Sequence, residues 1–155
     1  MIKLKALNQS DIDLLPEYQT SLSAGADLKS AEDKIISAGE QTIVRTGVKI
    51  DSVDWSQVPD NMLPELQIRA RSGLALKSGI TLTNAIGTVD ADFDNEICVL
   101  LWNTSNNDFV VKRGDRIAQV TLSVVYRIAG LIKGGKRAGG FGSTGVESYV
   151  DGKDF

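Results

Sequence analysis

Arg71-Ser72-Gly73 combines a planar cationic fork with a hydroxyl and a glycine at the end of an alternating run. A guanidinium fork matches phosphate geometry. Leu74-Ala75-Leu76-Lys77 forms a helix well, Ser72 can cap it and Gly79 can end it. Unpaired N–H groups and the positive dipole end at such a junction attract anions. An ordinary helix cap beside a surface arginine would carry the same residues. The second segment runs from Lys136 and Arg137 through Gly139, Gly140, Phe141, Gly142, Ser143 and Thr144 to Gly145. Its glycines let the backbone wrap a ligand and aim consecutive N–H groups at an anion. Ser143 and Thr144 add hydroxyl donors, and Phe141 offers a face on which a base can stack. The segment is not the GxxxxGK[ST] phosphate loop, and no strand–helix unit surrounds it. The third segment, Asp90 to Glu96, would place Asp90, Asp92, Asp94 and Glu96 on one face of a regular strand. That reads as a solvated acidic turn, or as a carboxylate base or metal-ligand set beside phosphates.

Absent residue types narrow the chemistry further. The chain has no His, which excludes Ser-His-Asp and Cys-His catalysis and every His metal site. Its single Cys, Cys98, can form neither an internal disulfide nor a multi-cysteine zinc site, and it lies in an apolar run as a small core residue would. Carboxylate, hydroxyl, Lys/Arg and backbone chemistry remain. A carboxylate is then the leading base candidate. Oxygen ligands favour Mg²⁺ or a similar hard ion.

The elements that must position these groups are mostly strands. The 155 residues suggest one domain, 42% of them are hydrophobic and the formal charge is −3. Nothing global points to nucleic acid or a membrane, and no signal sequence or spanning segment is evident, so a soluble intracellular protein of the cytoplasm is expected. Period-two alternation predicts strands over 41–50, with Thr42, Val44, Thr46, Val48 and Ile50 on one face, over 65–71, and over 117–126. Residues 97–102 are apolar on both faces, which predicts cover on both sides. Ala38-Gly39-Glu40, Asp94-Asn95 and Arg113-Gly114-Asp115 read as turns. Many short strands with frequent turns predict a β-sandwich or barrel with one short helix. Residues 51–64 lack periodicity and read as a long loop, where a regulatory partner surface would be sought. Seven of the 15 glycines lie at or after Gly134. The chain therefore divides into a β domain over 1–132 and a glycine-rich arm over 133–155, expected to be mobile.

Five of these short segments, in this order, resemble the motifs of the trimeric dUTPase family: Ala24 to Leu28, Arg71 to Ala75, Asn84 to Phe93, Arg113 to Gln119, and Gly139 to Gly145. The resemblance covers about positions 24 to 145. It implies a jelly-roll-like all-β fold, a homotrimer with sites between subunits, and Mg²⁺. It implies hydrolysis of dUTP to dUMP and pyrophosphate by attack of water on the α-phosphate, keeping uracil out of DNA and supplying dUMP for dTMP synthesis. By match of position, Asp90 is the general base. Residues 84–98 form a uracil-binding hairpin that reads the base through backbone groups, Gly87 and Val89 among them, with a side-chain contact from Asn84. Arg71, Ser72, Gly73 and Gln119 bind phosphates, and Asp27 holds a water of the Mg²⁺ shell. Phe141 stacks on the uracil, with Gly142, Ser143 and Thr144 toward the phosphates.

The chain departs from the family pattern at a few positions. Phe93 stands where many members have a Tyr whose ring excludes a ribose 2′-OH; the ring is kept and the hydroxyl lost. Ile86 replaces a frequent Pro. Lys136 stands where Arg is usual, with Arg137 next, and either can reach the γ-phosphate. Asn95 replaces a turn Gly and is expected to tolerate left-handed geometry. In the related dCTP deaminases a catalytic Glu falls where this chain has Leu100, which cannot move a proton. A non-catalytic trimer that kept the pocket is the rival of another class. An EF-hand Ca²⁺ site is not supported, because residues 90–96 lack the twelve-residue loop.

Overall fold

The computed structural model describes residues 1–128 and Gly130. The expected all-β architecture is borne out. The strands, in chain order, are β1 (Ile2–Ala6), β2 (Ala26–Lys29), β3 (Lys34–Ile36), β4 (Gln41–Arg45), β5 (Val48–Val53), β6 (Met62–Arg69), then helix α1 (Ser72–Ser78), β7 (Ile80–Leu82), β8 (Ile86–Asp90), β9 (Cys98–Asn103), β10 (Phe109–Val111) and β11 (Arg116–Tyr126). Short 3-10 turns span Gln9–Leu14 and Trp55–Gln57. The larger sheets run β2-β11-β6-β8 and β4-β9-β7, flanked by the pairs β1-β5 and β3-β10. Every pairing is antiparallel.

One hydrophobic cluster joins the two larger sheets. Ala26, Leu28, Leu66, Ile68, Ala118 and Val120 come from one, and Val44, Ile80, Leu82, Val99 and Leu101 from the other. Because facing residues of an antiparallel pair share a side, the opposite face of the first sheet is fixed by register. It carries Asp27, Gln119, Arg69 and Ile86 in one row, and Ser123, Glu65 and Asp90 in another. The core therefore buries one face of this sheet and leaves a polar face for chemistry.

Several sequence expectations need correction. The strand expected over 41–50 is two strands, broken at Gly47, whose φ is +69° and where a Cβ would lie 3.1 Å from both Asp11 and Leu14 side-chain atoms. The buried face is nevertheless right, since Val44, Thr46, Val48 and Ile50 are all buried. The long loop expected over 51–64 is mostly structured: β5 runs to Val53, Asp54 caps the Trp55–Gln57 turn through Ser56 N at 3.1 Å, and β6 begins at Met62. Ser72 is the first helical residue and not the cap, which is Arg71, without a side-chain cap bond; Gly79 ends α1 in left-handed geometry as expected. Of the cover expected on both sides of 97–102, by the core and by a neighbouring layer or subunit, the core supplies one face, burying Val99 and Leu101, while within the single chain Trp102 on the other face is 43% exposed. Burial pushes the Cys98 thiol up to about 11, in keeping with an inert core residue.

Candidate active site

Asp27 lies in the middle of β2 and is only 2% exposed. Its carboxylate sits between two guanidiniums. Arg71 Nε is 3.3 Å from Oδ1 and Arg116 Nη1 is 3.2 Å from Oδ2, while Gln119 Nε2 donates to Oδ1 at 3.4 Å. A buried carboxylate needs such partners to stay ionised at a tolerable cost. The register opposes Gln119 to Asp27, and Arg71 arrives from the end of β6 just before α1. Arg71 is held a second time, Nη1 donating to the Arg116 carbonyl at 2.6 Å. Of the predicted phosphate-binding residues, Arg71 and Gln119 thus meet at Asp27, and Ser72 and Gly73 follow Arg71 in the first turn of α1.

The approach to β2 is also fixed. Asp27 N donates to the Glu17 carbonyl at 2.9 Å, so residues near 17 run along β2. Lys29 Nζ ties this segment down through the Asp13 carbonyl at 2.8 Å and Glu17 Oε1 at 3.0 Å. Two residues on, Gln19 Oε1 accepts from Arg116 Nη1 at 2.8 Å. Upstream, Arg113 clamps the first 3-10 turn through Asp11, Asp13 and the Ser10 carbonyl. Arg113's side-chain hydrogen bond holds the Asp13 carboxyl below its ordinary value. The Arg113 backbone N–H, with Lys112, does the same for Asp33.

The base-reading segment is built differently from expectation. Residues 84–98 do not form a hairpin. β8 pairs with β6, and β9 belongs to the other sheet, so the segment between them crosses from one sheet to the next. The chain turns at Asp90, with Phe93 N donating to its carbonyl at 3.0 Å. The regular strand face expected for Asp90, Asp92, Asp94 and Glu96 is therefore absent. Glu96 turns back to accept from Arg45 Nε at 2.9 Å and Gly47 N at 2.7 Å. Asn95 does not take up left-handed geometry; among the described non-glycine residues that falls to Asn61 and Ala85. Phe93 is 9% exposed.

β8 has one strand neighbour in its sheet, so its outer edge has no strand partner among the described residues. Such an edge offers backbone donors and acceptors, which suits a base read through main-chain groups. Asn84 lies over it: a Cβ at Gly87 would meet Asn84 Nδ2 at 3.1 Å. Val89 packs on the core cluster and can offer only its backbone outward.

The two halves of the predicted site are far apart within the chain. Asp27 and Asp90 are on the same sheet face but at opposite ends of it, across β11 and β6 and four residues along from Ile86. With strand spacings of about 4.8 Å and rises of about 3.3 Å per residue, they are on the order of 20 Å apart. A single copy does not bring Asp90 to the arginine and glutamine cluster. Lys136, Arg137, Phe141, Gly142, Ser143 and Thr144 lie outside the described residues.

Among the described residues, no three His, Cys, Asp or Glu side chains cluster to hold a metal. Asp27 is a hard oxygen donor whose three partners lie at the long end of hydrogen-bonding range. A carboxylate has more acceptor positions than these contacts fill, so it can still accept from a metal-bound water. The donor set fits Mg²⁺ carried on phosphate oxygens and water, not one enclosed by protein ligands.

Arg116 and Gln19 were not singled out by the sequence. Arg116 falls inside the fourth motif, which is the one signal that could have marked it; nothing in the sequence marks Gln19.

Comparison with known proteins shows the family and the fold. The family model for dUTPase matches residues 13–145. A deoxyuridine 5'-triphosphate nucleotidohydrolase of Nautilia profundicola is 44% identical over 149 residues, spanning 93% of this chain and 98% of that protein. The crystal structure of a dUTPase from Streptococcus mutans matches with a TM-score of 0.70 at 30% identity, covering 82% of this chain and 98% of the other. A dUTPase from phage phi11 of S. aureus, described with a coordinated structural Mg(II) ion, shares the fold at a TM-score of 0.66 and 17% identity, over 89% and 98% of the two chains. The jelly-roll-like architecture is thus borne out.

Proposed function

The chain belongs to the dUTPase family, and from that premise we propose that it hydrolyses dUTP to dUMP and pyrophosphate. The observation that carries this reading is the buried Asp27 with Arg71, Arg116 and Gln119 around it, a pre-ordered cluster with one net positive charge, suited to a triphosphate. Asp90 takes a proton from water, the water oxygen bonds to the α-phosphorus, and the bond to the bridging oxygen breaks, releasing pyrophosphate. Backbone groups of β8 with Asn84 read the uracil, and Phe93 packs near the sugar. Lys136 or Arg137 contacts the γ-phosphate, Phe141 stacks on the base, and Gly142, Ser143 and Thr144 face the phosphates. The arm over 133–155 thereby completes the site of the 1–132 domain and excludes water. Mg²⁺, when bound, neutralises charge on the phosphate oxygens, and Asp27 orients one of its waters.

The separation of Asp27 from Asp90 supports a homotrimer in which one subunit brings the base to another's arginine. We place the reaction in the cytoplasm, where it keeps uracil out of DNA and supplies dUMP for dTMP synthesis. No described helix is long and apolar enough to cross a membrane. Deamination is disfavoured because Leu100, in β9, occupies the place of the deaminase carboxylate.

Turnover of dUTP in heavy-oxygen water tests the chemistry. Label in dUMP supports attack at the α-phosphate. Label in pyrophosphate overturns it.

A further inference from the structure

Arg116 touches the Asp27 cluster at two points. Its carbonyl receives Arg71 Nη1 at 2.6 Å, and its guanidinium donates to Asp27 Oδ2 at 3.2 Å. The same Nη1 donates to Gln19 Oε1 at 2.8 Å, a residue of the segment that runs along β2. Asp27 is therefore shared between Arg71 and Arg116. Sharing matters because Arg71 has two possible anionic partners, Asp27 and a bound phosphate. With Arg116 in place, Asp27 is already paired on its other oxygen and competes less for Arg71. Without it, a nearly buried carboxylate would turn to its remaining cation.

We propose that Arg116, held by Gln19, is a positioning residue that takes the second oxygen of Asp27, so that Asp27 anchors Arg71 through Nε alone and leaves the rest of the Arg71 guanidinium available to the triphosphate. The proposal rests on the reading that Arg71 binds the phosphates of dUTP. It assigns Arg116 a role through Arg71 and not as a phosphate ligand in its own right. Gln19 sets the rotamer of Arg116, which links the segment before β2 to the affinity of the site.

The test is calorimetric titration of the full-length protein, with Mg²⁺ present, using a non-hydrolysable dUTP analogue and, separately, deoxyuridine. Wild type is measured first. If it binds neither, the dUTP reading itself fails, which is distinct from failure of the present proposal. Arg116→Gln should weaken the analogue about tenfold, the scale of one lost charged hydrogen bond. It should leave deoxyuridine unchanged, and the loss in kcat/KM should appear in KM. Arg116→Lys, which keeps the charge without the fork, should fall between. The double variant Arg71→Gln/Arg116→Gln should bind no more weakly than Arg71→Gln alone. Unchanged analogue affinity in Arg116→Gln would overturn the proposal. Additive losses in the double variant would also overturn it, since Arg116 would then touch phosphate itself. If Arg116→Gln fails to fold, Gln19→Ala decides: weaker analogue binding with unchanged deoxyuridine binding supports the proposal, and unchanged binding of both overturns it.

Discussion

At the scale of residues, the chain fixes two arginines, Arg71 and Arg116, on one buried carboxylate where phosphate is expected. Arg71 is the clearest case, anchored by Asp27 and by a carbonyl. Arg71→Lys keeps a positive charge but cannot hold both anchors and a phosphate at once. It should raise KM for dUTP about tenfold or more with a smaller change in kcat; steady-state kinetics at saturating Mg²⁺ would show it, and an unchanged KM would contradict it. The Arg113 clamp yields a pH dependence. The folded carboxyl of Asp13, hydrogen-bonded by the Arg113 side chain, titrates below its unfolded value of about 3.9, so its contribution is fully present above that value and is lost as the pH falls through the folded pKa. The stability gap between wild type and Arg113→Ala should therefore be constant near neutrality and shrink below about pH 4. Urea melts across that range measure it, and a gap that persists at low pH would contradict the clamp. The residues that were legible in the sequence are those carried by short local motifs. The partners that hold them were not: Asp27 and Arg116 are 89 residues apart, and Arg71 and the Arg116 carbonyl 45. No spacing rule reaches across such separations.

At the scale of elements, alternation identified β6 and β11 because each has one core face and one polar face. The break between β4 and β5 was invisible for a physical reason. Thr46 and Val48 keep the parity of Val44 and Ile50, so the burial pattern continues through the bend. Only Gly47 differs, and its left-handed geometry is held by Glu96 at its N–H. Gly47→Ala should cost about 1–2 kcal/mol from backbone geometry alone. Thermal melts of the variant check this, and a cost near zero would mean the bend relaxes. The start of β6 was missed because Met62-Leu63-Pro64 does not alternate. Pro64 is accepted there with its ring buried. The expected hairpin over 84–98 failed because β8 takes its one strand partner among the described residues from β6, by long-range register that local turn residues do not encode.

At the scale of the whole molecule, one sheet face carries both halves of the proposed site, too far apart to meet within a chain. An oligomer that shares sites predicts complementation. Asp90→Asn supplies an intact arginine cluster and Arg71→Gln an intact base, so at dUTP well below the wild-type KM, unfolding and refolding the two impaired variants together should restore part of the activity. Separate refolding should not. No recovery in mixed trimers would place each site within one subunit. The central claim is that this protein splits dUTP with Asp90 as the base. The most direct measurement is pyrophosphate release from dUTP, dCTP, dTTP and UTP with Mg²⁺, for wild type and Asp90→Asn. The account predicts release from dUTP alone, reduced in the variant by roughly 10²–10⁴-fold with nucleotide binding retained. Equal rates for the two proteins, or no release despite measurable dUTP binding, would contradict it.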